Sequence, residues 1–546
     1  MDVVEPRSNR GLTLSELPER LQHAWESATL PWMPPDPISR RDFLRKGALL
    51  TGALAAGLPE AVSLFHPRIA ESAIMGIGQE LRDVLNEETL NRILQEALKR
   101  GGDAADVFAE QRFRTSIVLD GGKIDSVSYG YPRGAGVRVV RRNQTGFAFS
   151  DEISFNSLLD AARVASSVVD TQSPTHPIDV SLRNPAPPFT LVNPQPLMLE
   201  AGKLDLLTRM DAAARAADPR IVSVRIDYLD EMRDVLIGTS EGVFVLDRQY
   251  FTSIACVPTA LSNGKRGSGL ATLGGRVGSE YFARVSVEDA AKAAALQAVR
   301  LLDAGPAPAG AMPVVIAPGW GGVLIHESLG HALEADGIRR GTSILAGLQG
   351  TRIASPLVRV VDDARWPNGR GSFTFDDEGT PAQRTVAVDQ GVLQSYLVDK
   401  QNGWLMTQRS TGNGRRMTYR NWPLPRMTNT YIDNGTSDPG SLLSGITKGF
   451  YAAELGGGSV ETSSGNFNFA VREGYWIENG KLTRPARGAV LVGNSLLTMQ
   501  RIEGIGNDLK VELTRGMCGK DGQLVPVGVG QPTVRFSSIT VGGAAL

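Results

Sequence analysis

Cysteine is almost absent from the 546 residues, with Cys256 and Cys518 as the only two, so a disulfide scaffold is excluded. A single bridge between them would be open only in an oxidising compartment. An excess of charge of one sign is lacking as well: 57 Lys and Arg face 58 Asp and Glu, and the net charge is -1. Such a balance gives no general electrostatic reason to bind nucleic acid or an anionic lipid surface. Internal repeats and nucleic-acid motifs are also missing. The apolar, small-residue run Gly47 to Leu58 falls short of the roughly 20 residues that span a bilayer, which makes a permanent transmembrane helix the weaker reading. Histidine is scarce, at five. What the chain does have is size and a globular balance: 546 residues at 42% hydrophobic exceed one ordinary core and point to two domains.

Two of the five histidines fall within one hexapeptide, His326-Glu327-Ser328-Leu329-Gly330-His331. Histidine is the commonest metal ligand, and a neighbouring carboxylate can act as a base on water activated by the metal. In HExxH the histidines stand at i and i+4, about 40° apart around an α-helix, and both face one ion. Here they stand at i and i+5, about 140° apart on a regular helix, too wide for two imidazoles to share a small ion. One π-turn would realign them, so a local π-bulge is predicted. The flanks suit a buried segment: Met312 to Ala317 reads as a short apolar strand, Gly319-Trp320-Gly321-Gly322 as a flexible entry, and Val323, Leu324, Ile325, Leu329 and Leu333 as core contacts. The bland alternative is a core helix with two satisfied histidines, and the hexapeptide alone does not separate the two.

The longer run HESLGHALEAD, from His326, resembles the TldD/PmbA family of peptidases, specifically the metal-bearing TldD type with its HExxxH. RRGTS at Arg339 to Ser343, FDDEGT at Phe375 to Thr380, PRMTNTYI at Pro425 to Ile432 and LGGGSV at Leu455 to Val460 match the same type. So does MCGKDGQLVPVGVGQPT at Met517 to Thr533, and the likeness covers Leu85 to Leu546. The resemblance implies a zinc peptidase holding one Zn2+ per chain through His326, His331 and Cys518, with Glu327 as general base. It also implies an unfolded peptide substrate and a PmbA/TldE-type partner subunit, in a heterodimer or a homodimer. The PmbA/TldE type lacks the histidine motif, which this chain keeps.

Two imidazoles and one thiolate leave a fourth tetrahedral position open, as in a catalytic zinc site. A structural zinc would need a fourth protein ligand, which Glu334 or Asp336 could supply; their other role is to accept the free N–H of a ligating histidine. Two further readings stay open: a carrier of copper, which His2Cys also suits, and a non-enzymatic regulator, since the family has been labelled a modulator of DNA gyrase. Asp376-Asp377-Glu378 reads as a solvated turn, with a hard-cation site as the alternative, and is left unassigned; Arg415, Arg416, Arg420 and Arg426 read as a solvated basic face, with a phosphate or peptide-carboxylate site as the alternative. His23, His66 and His176 lie outside any ligand spacing.

The expected fold class is α+β: an N-terminal α/β domain with antiparallel strands and helices, then a mostly antiparallel β domain carrying the metal-binding helix. Residues 1–37 read as a disordered extension, 38–60 as a twin-arginine signal, 85–303 as the N-terminal domain and 311–546 as the β-rich metallopeptidase domain. Helices are expected at Glu88 to Lys99, Ser154 to Val168, Leu199 to Ala216 and Ser286 to Leu302. Hairpins are expected at Asp106 to Tyr129 and Gly136 to Phe149, half-buried strands at Ile221 to Leu229 and Gly242 to Asp247, and an interdomain linker at Ala304 to Gly310. The signal reading rests on Ser39-Arg40-Arg41-Asp42-Phe43-Leu44-Arg45-Lys46 before the apolar run, with Ala53-Leu54-Ala55 in the layout of a cleavage site. It lies far from Met1, an oddity that a later true start would remove. Export through the twin-arginine machinery to the periplasm follows; without use of the signal the protein stays in the cytoplasm. Changing Arg40 and Arg41 together to Lys is expected to abolish the periplasmic pool in a fractionation assay, and unchanged fractionation would retire the export reading.

Overall fold

The computed structural model describes residues 79–168, 178–182 and 200–543. The expected extension and twin-arginine segment, the proline-rich connector at Pro185 to Pro196, and His23, His66 and His176 lie outside the described residues.

The first half is built on a nine-stranded sheet whose centre is three long antiparallel strands, Ala104–Asp120, Ile221–Thr239 and Val243–Ser262. Successive side chains of a strand point to opposite faces. Val107, Ala109, Val137 and Val139 meet the helices Glu87–Leu98 and Phe155–Ser167; farther along, Ile117, Leu119, Val224 and Ile226 meet Glu200–Ala217 and Val287–Arg300. All four helices fall within two residues of their predicted bounds. Three carry a side-chain N-cap, with Asn86, Ser154 and Ser286 accepting from Thr89, Ser157 and Asp289.

The other face of this sheet meets the second half of the chain. Phe108, Val235, Ile237 and Val245 pack there with Phe375 and Tyr419. Around them lies a layer of paired charge: the Arg138 Nε donates to Asp106 at 2.5 Å, its Nη2 to Glu378 at 2.8 Å, and the Arg416 Nη2 to Asp106 at 3.0 Å. Two expectations are corrected by this contact. Asp376, Asp377 and Glu378 are no solvated turn but are 1%, 8% and 1% exposed, and Arg415, Arg416 and Arg426 are no solvated face but are 6%, 2% and 0% exposed. Of the four arginines only Arg420 keeps substantial exposure, paired with Asp151. The strands expected at Ile221 to Leu229 and Gly242 to Asp247 are also much longer and, toward Thr239, buried on both faces. Asp230, Arg233 and Asp234 interrupt the apolar alternation, yet each is buried against a counter-charge: Lys203 at 2.9 Å, Glu110 at 2.7 Å and Arg248 at 2.6 Å.

The second half contains an eight-stranded and a six-stranded sheet. It is mainly antiparallel as expected, with three parallel pairings: Gly310–Ile316 beside Lys448–Val460, Asn429–Ile432 beside Gly528–Gln531, and Gly305–Pro306 beside Lys481–Arg487. The last pairing lies in the expected linker at Ala304 to Gly310, which is stitched to the sheet with Ala304 and Ala307 buried. Asn479 and Gly480 both have positive φ, 50° and 75°, the type I' turn their sequence predicts. Side chains of both sheets, among them Val314, Ile316 and Phe536 from one and Val360, Ile432 and Val529 from the other, form one core around Leu324, Ile325, Leu329 and Leu333. The hexapeptide is thereby held between two sheets.

Burial opposes ionisation of Asp106, but Arg138 and Arg416 outweigh it and hold its carboxyl below its ordinary value of 3.8. A depressed carboxyl contributes stability that is present above its unfolded value and is lost as pH falls through the folded one. Asp106→Ala leaves two buried guanidinium groups without that partner, so denaturant melts at pH 7 should show a loss on the order of 3–5 kcal/mol. The gap to the wild type should narrow as the pH drops below 3.8.

Candidate metal centre

After the strand Gly310–Ile316 the chain turns at Gly319, φ 82°, and passes through a short 3-10 turn, Trp320–Gly322, and an α-turn, Val323–Ile325. Then His326–Gly330 forms a π-turn, closed by the N–H of His331 donating to the carbonyl of His326. The predicted bulge is present, and its i to i+5 bond joins the two histidines themselves. Their ring centroids lie 5.2 Å apart at 80°. Gly330 is required by a close approach: a Cβ there would fall 2.0 Å from the Met427 sulfur. A 3-10 turn, His331–Leu333, follows, and Glu334 is extended before the helix Ala335–Arg340.

Cys518 arrives from another part of the chain, on the hairpin Met517–Lys520 with Gln523–Pro526. Asp521 and Gly522 turn it with φ of 50° and 73°, again the type I' pattern. Buried arginines fasten the hairpin. The Arg426 guanidinium donates to the Cys518 carbonyl at 2.6 Å and to that of Gln523 at 3.3 Å, and Arg415 to those of Met427 at 2.6 Å and Pro526 at 2.7 Å. This is the work of residues expected on a solvated face.

One donor atom from each of His326, His331 and Cys518 lies within 4.8 Å of the others. The Cys518 Sγ is 3.3 Å from the His331 Nε2, and a Glu327 carboxylate oxygen is 3.9 Å from the same nitrogen. The His331 Nδ1 faces the Glu334 Oε2 at 3.2 Å. A carboxylate only accepts, so Nδ1 carries a proton, and Nε2 is the ring nitrogen turned toward Cys518. Burial opposes the charged forms here, but neighbours prevail. The His326 and His331 rings hold the Cys518 thiol down at about 5, Lys520, His331 and Arg426 hold Glu334 at about 2, and Glu334 and Cys518 raise His331 well above its ordinary value. Cys518 is thus disposed to be a thiolate, the form that binds metal.

The donor set fits zinc. Two donors on one tetrahedral zinc stand roughly 3.5 Å apart, given bonds of roughly 2.0–2.3 Å. The buried His326 Nδ1 has no hydrogen-bond partner in the structure. Asp336 faces away from the rings, toward Lys520 and Arg340, so of the two acids considered beside the histidines only Glu334 touches one. Both cysteines are free and sit in separate cores, Cys256 among Ile226, Tyr228 and Ile254. Lys520, 3.0 Å from Glu334, escaped the sequence reading; Asp521-Gly522 was the available signal, since a hairpin there puts positions 518 and 520 on one face.

Family models for the PmbA/TldA metallopeptidase match along the chain: domain 1 at residues 105–169, the central domain at 195–302 and the C-terminal domain at 309–543. The Metalloprotease TldD homolog of Haemophilus influenzae is 39% identical over 466 residues, 84% of this chain and 97% of that protein. The chain is a TldD-type member of the PmbA/TldD metallopeptidase family. The Zinc metalloprotease TldD homolog of Saccharolobus solfataricus is 27% identical over 83% of this TldD-type chain and 99% of its own length. The crystal structure of TldE from Thermococcus kodakarensis, at 18% identity, covers 83% of the chain and 100% of its own with a TM-score of 0.67, and so shares the fold.

Because a methyl group at position 330 would collide with Met427, Gly330→Ala is expected to cost about 1–3 kcal/mol and to lower peptidase activity. Met427→Ala leaves a cavity of its own in the core, so the crowding is read from a double-mutant cycle in melts and turnover: Gly330→Ala should cost markedly less in the Met427→Ala background than in the wild type, and an equal cost in both would show that the crowding is not the cause.

Proposed function

We propose that this metallopeptidase is zinc-dependent and hydrolyses unfolded or extended peptides, with one zinc ion per chain held by His326, His331 and Cys518 and with Glu327 as the general base. The observation that carries the reading is the convergence of two imidazoles and one thiol within 4.8 Å, with a carboxylate oxygen 3.9 Å from one of the rings. The name of the Saccharolobus solfataricus relative supports zinc. Zinc held there supplies a Lewis acid for the scissile carbonyl and lowers the pKa of water. Glu327, whose side chain keeps 22% exposure while the rings around it are more enclosed, takes a proton from the attacking water and returns it to the leaving amine. Glu334 holds the His331 ring through Nδ1.

The hairpin Met517–Lys520 with Gln523–Pro526 supports an extended substrate. It is a two-stranded sheet that no third strand joins among the described residues, and Met517 and Leu524 on it are 50% and 47% exposed. A peptide added there as another strand would be bound mainly through its backbone, with little sequence preference. The shared fold of TldE supports a PmbA/TldE-type subunit as partner, in a heterodimer, with a homodimer as the other arrangement; either would enclose the cleft and exclude folded proteins. Residues Arg40 and Arg41 support export of the loaded protein by the twin-arginine machinery to the periplasm.

Hydrolysis of an unstructured peptide by the wild type, alone and with a PmbA-type subunit, tests the reading. Glu327→Ala is expected to lose about 10²–10⁴-fold in turnover while retaining its zinc by elemental analysis, whereas Cys518→Ala should lose the zinc. Equal turnover by Glu327→Ala would remove that carboxylate from the mechanism.

A further inference from the structure

Cys518 and Lys520 are two positions apart on one strand, and both turn inward while Met517 and Gly519 face out. The three protons of the Lys520 ammonium have three acceptors: Glu334 Oε2 at 3.0 Å, Asp336 Oδ1 at 2.6 Å and the Pro425 carbonyl at 3.2 Å. That Glu334 oxygen is the one facing the His331 Nδ1 at 3.2 Å. The other, Oε1, has no hydrogen bond and lies 3.7 Å from the Arg426 Nε. Two cations therefore pull on one buried carboxylate from opposite ends. Its backbone is fixed on both sides, with Ala335 N–H donating to the Leu397 carbonyl and Leu397 N–H to that of Leu333. The carboxylate's rotation is the freedom that remains.

We infer that Lys520 is a positioning residue for the ion site: by anchoring Oε2 of Glu334 it keeps His331 turned with Nε2 toward Cys518. The same strand delivers the sulfur and the counter-charge that aims the imidazole, so docking of the hairpin assembles both in one event. Without the ammonium, Glu334 swings toward Arg426 and releases His331, although Arg426 still holds the Cys518 carbonyl at 2.6 Å. The inference rests on the zinc reading above.

The test is zinc affinity by chelator competition on the full chain, with thermal melts of the zinc-free proteins, for wild type, Lys520→Met, Glu334→Gln and the double variant. Lys520→Met is expected to weaken zinc binding by about 10–100-fold, the scale of lost outer hydrogen-bond partners. In the Glu334→Gln background the same change should cost less than about threefold, because the carboxylate it acts through is gone. Cobalt-substituted Lys520→Met should keep its thiolate charge-transfer band, since the hairpin stays docked. An equal loss in both backgrounds, or a lost band, would make Lys520 a mere fastener of the hairpin and overturn the inference; so would unchanged affinity. Lys520→Gln, which keeps a donor for the Pro425 carbonyl, takes the place of Lys520→Met if the latter does not fold. A wild type that binds no zinc overturns the zinc reading itself, a result visible before any variant is made.

Discussion

One backbone hydrogen bond, from the N–H of His331 to the carbonyl of His326, is the constraint on which the site depends. It widens a single helical turn so that residues five apart face the same way. The turn survives because its surroundings leave no alternative: Leu324, Ile325, Leu329 and Leu333 are locked in the core between two sheets, and Gly330 lets Met427 press on the turn where a methyl group would not fit. An irregular helix is costly in isolation and is stabilised here by packing on every side.

The third donor is secured by a different kind of force. Cys518 rides on a hairpin that shares no sheet with the hexapeptide, and its place is set by guanidinium groups donating to main-chain carbonyls. Arg426 and Arg415 are the main fasteners, and their planar forks suit the task of bridging two carbonyls at once. Buried charge of this kind adds little net stability against an apolar core, but it is unforgiving of misplacement. It suits a site in which small displacements of a sulfur or an imidazole matter.

The same economy of charge joins the two halves of the molecule. Asp106 and Glu110 from the first sheet meet Arg138, Arg233 and Arg416, and Asp377 and Glu378 complete the layer. Burial and the neighbouring Glu378 raise the carboxyls of Asp376 and Asp399, so this layer does not hold every acid ionised. The acids adjoin the short strand Gly414–Arg415, which carries one of the hairpin's two arginines: Asp376 accepts from the Gly414 N–H at 3.0 Å and Asp377 from that of Arg416 at 2.8 Å. The contact between halves and the support of Cys518 are therefore one continuous network.

What the sequence determined by itself was whatever depends on near neighbours along the chain. Histidines at i and i+5 required a π-turn, apolar residues at helical spacing marked four helices to within two residues, and Asn479-Gly480 named its own turn, because backbone geometry and side-chain period are local properties. The pairing of Cys518 with the histidines came from a family likeness, since no local rule connects residues 187 apart. Tertiary structure alone decided where charge is buried. Asp376, Glu378, Arg416 and Arg426 read as solvent-facing because charged groups usually are, and the strand expected at Ile221 to Leu229 continues through the buried charges of Asp230 to Asp234 as far as Thr239. A charge can leave water only where a counter-charge is waiting, and that partner is supplied by a distant segment whose position exists only once the chain has folded.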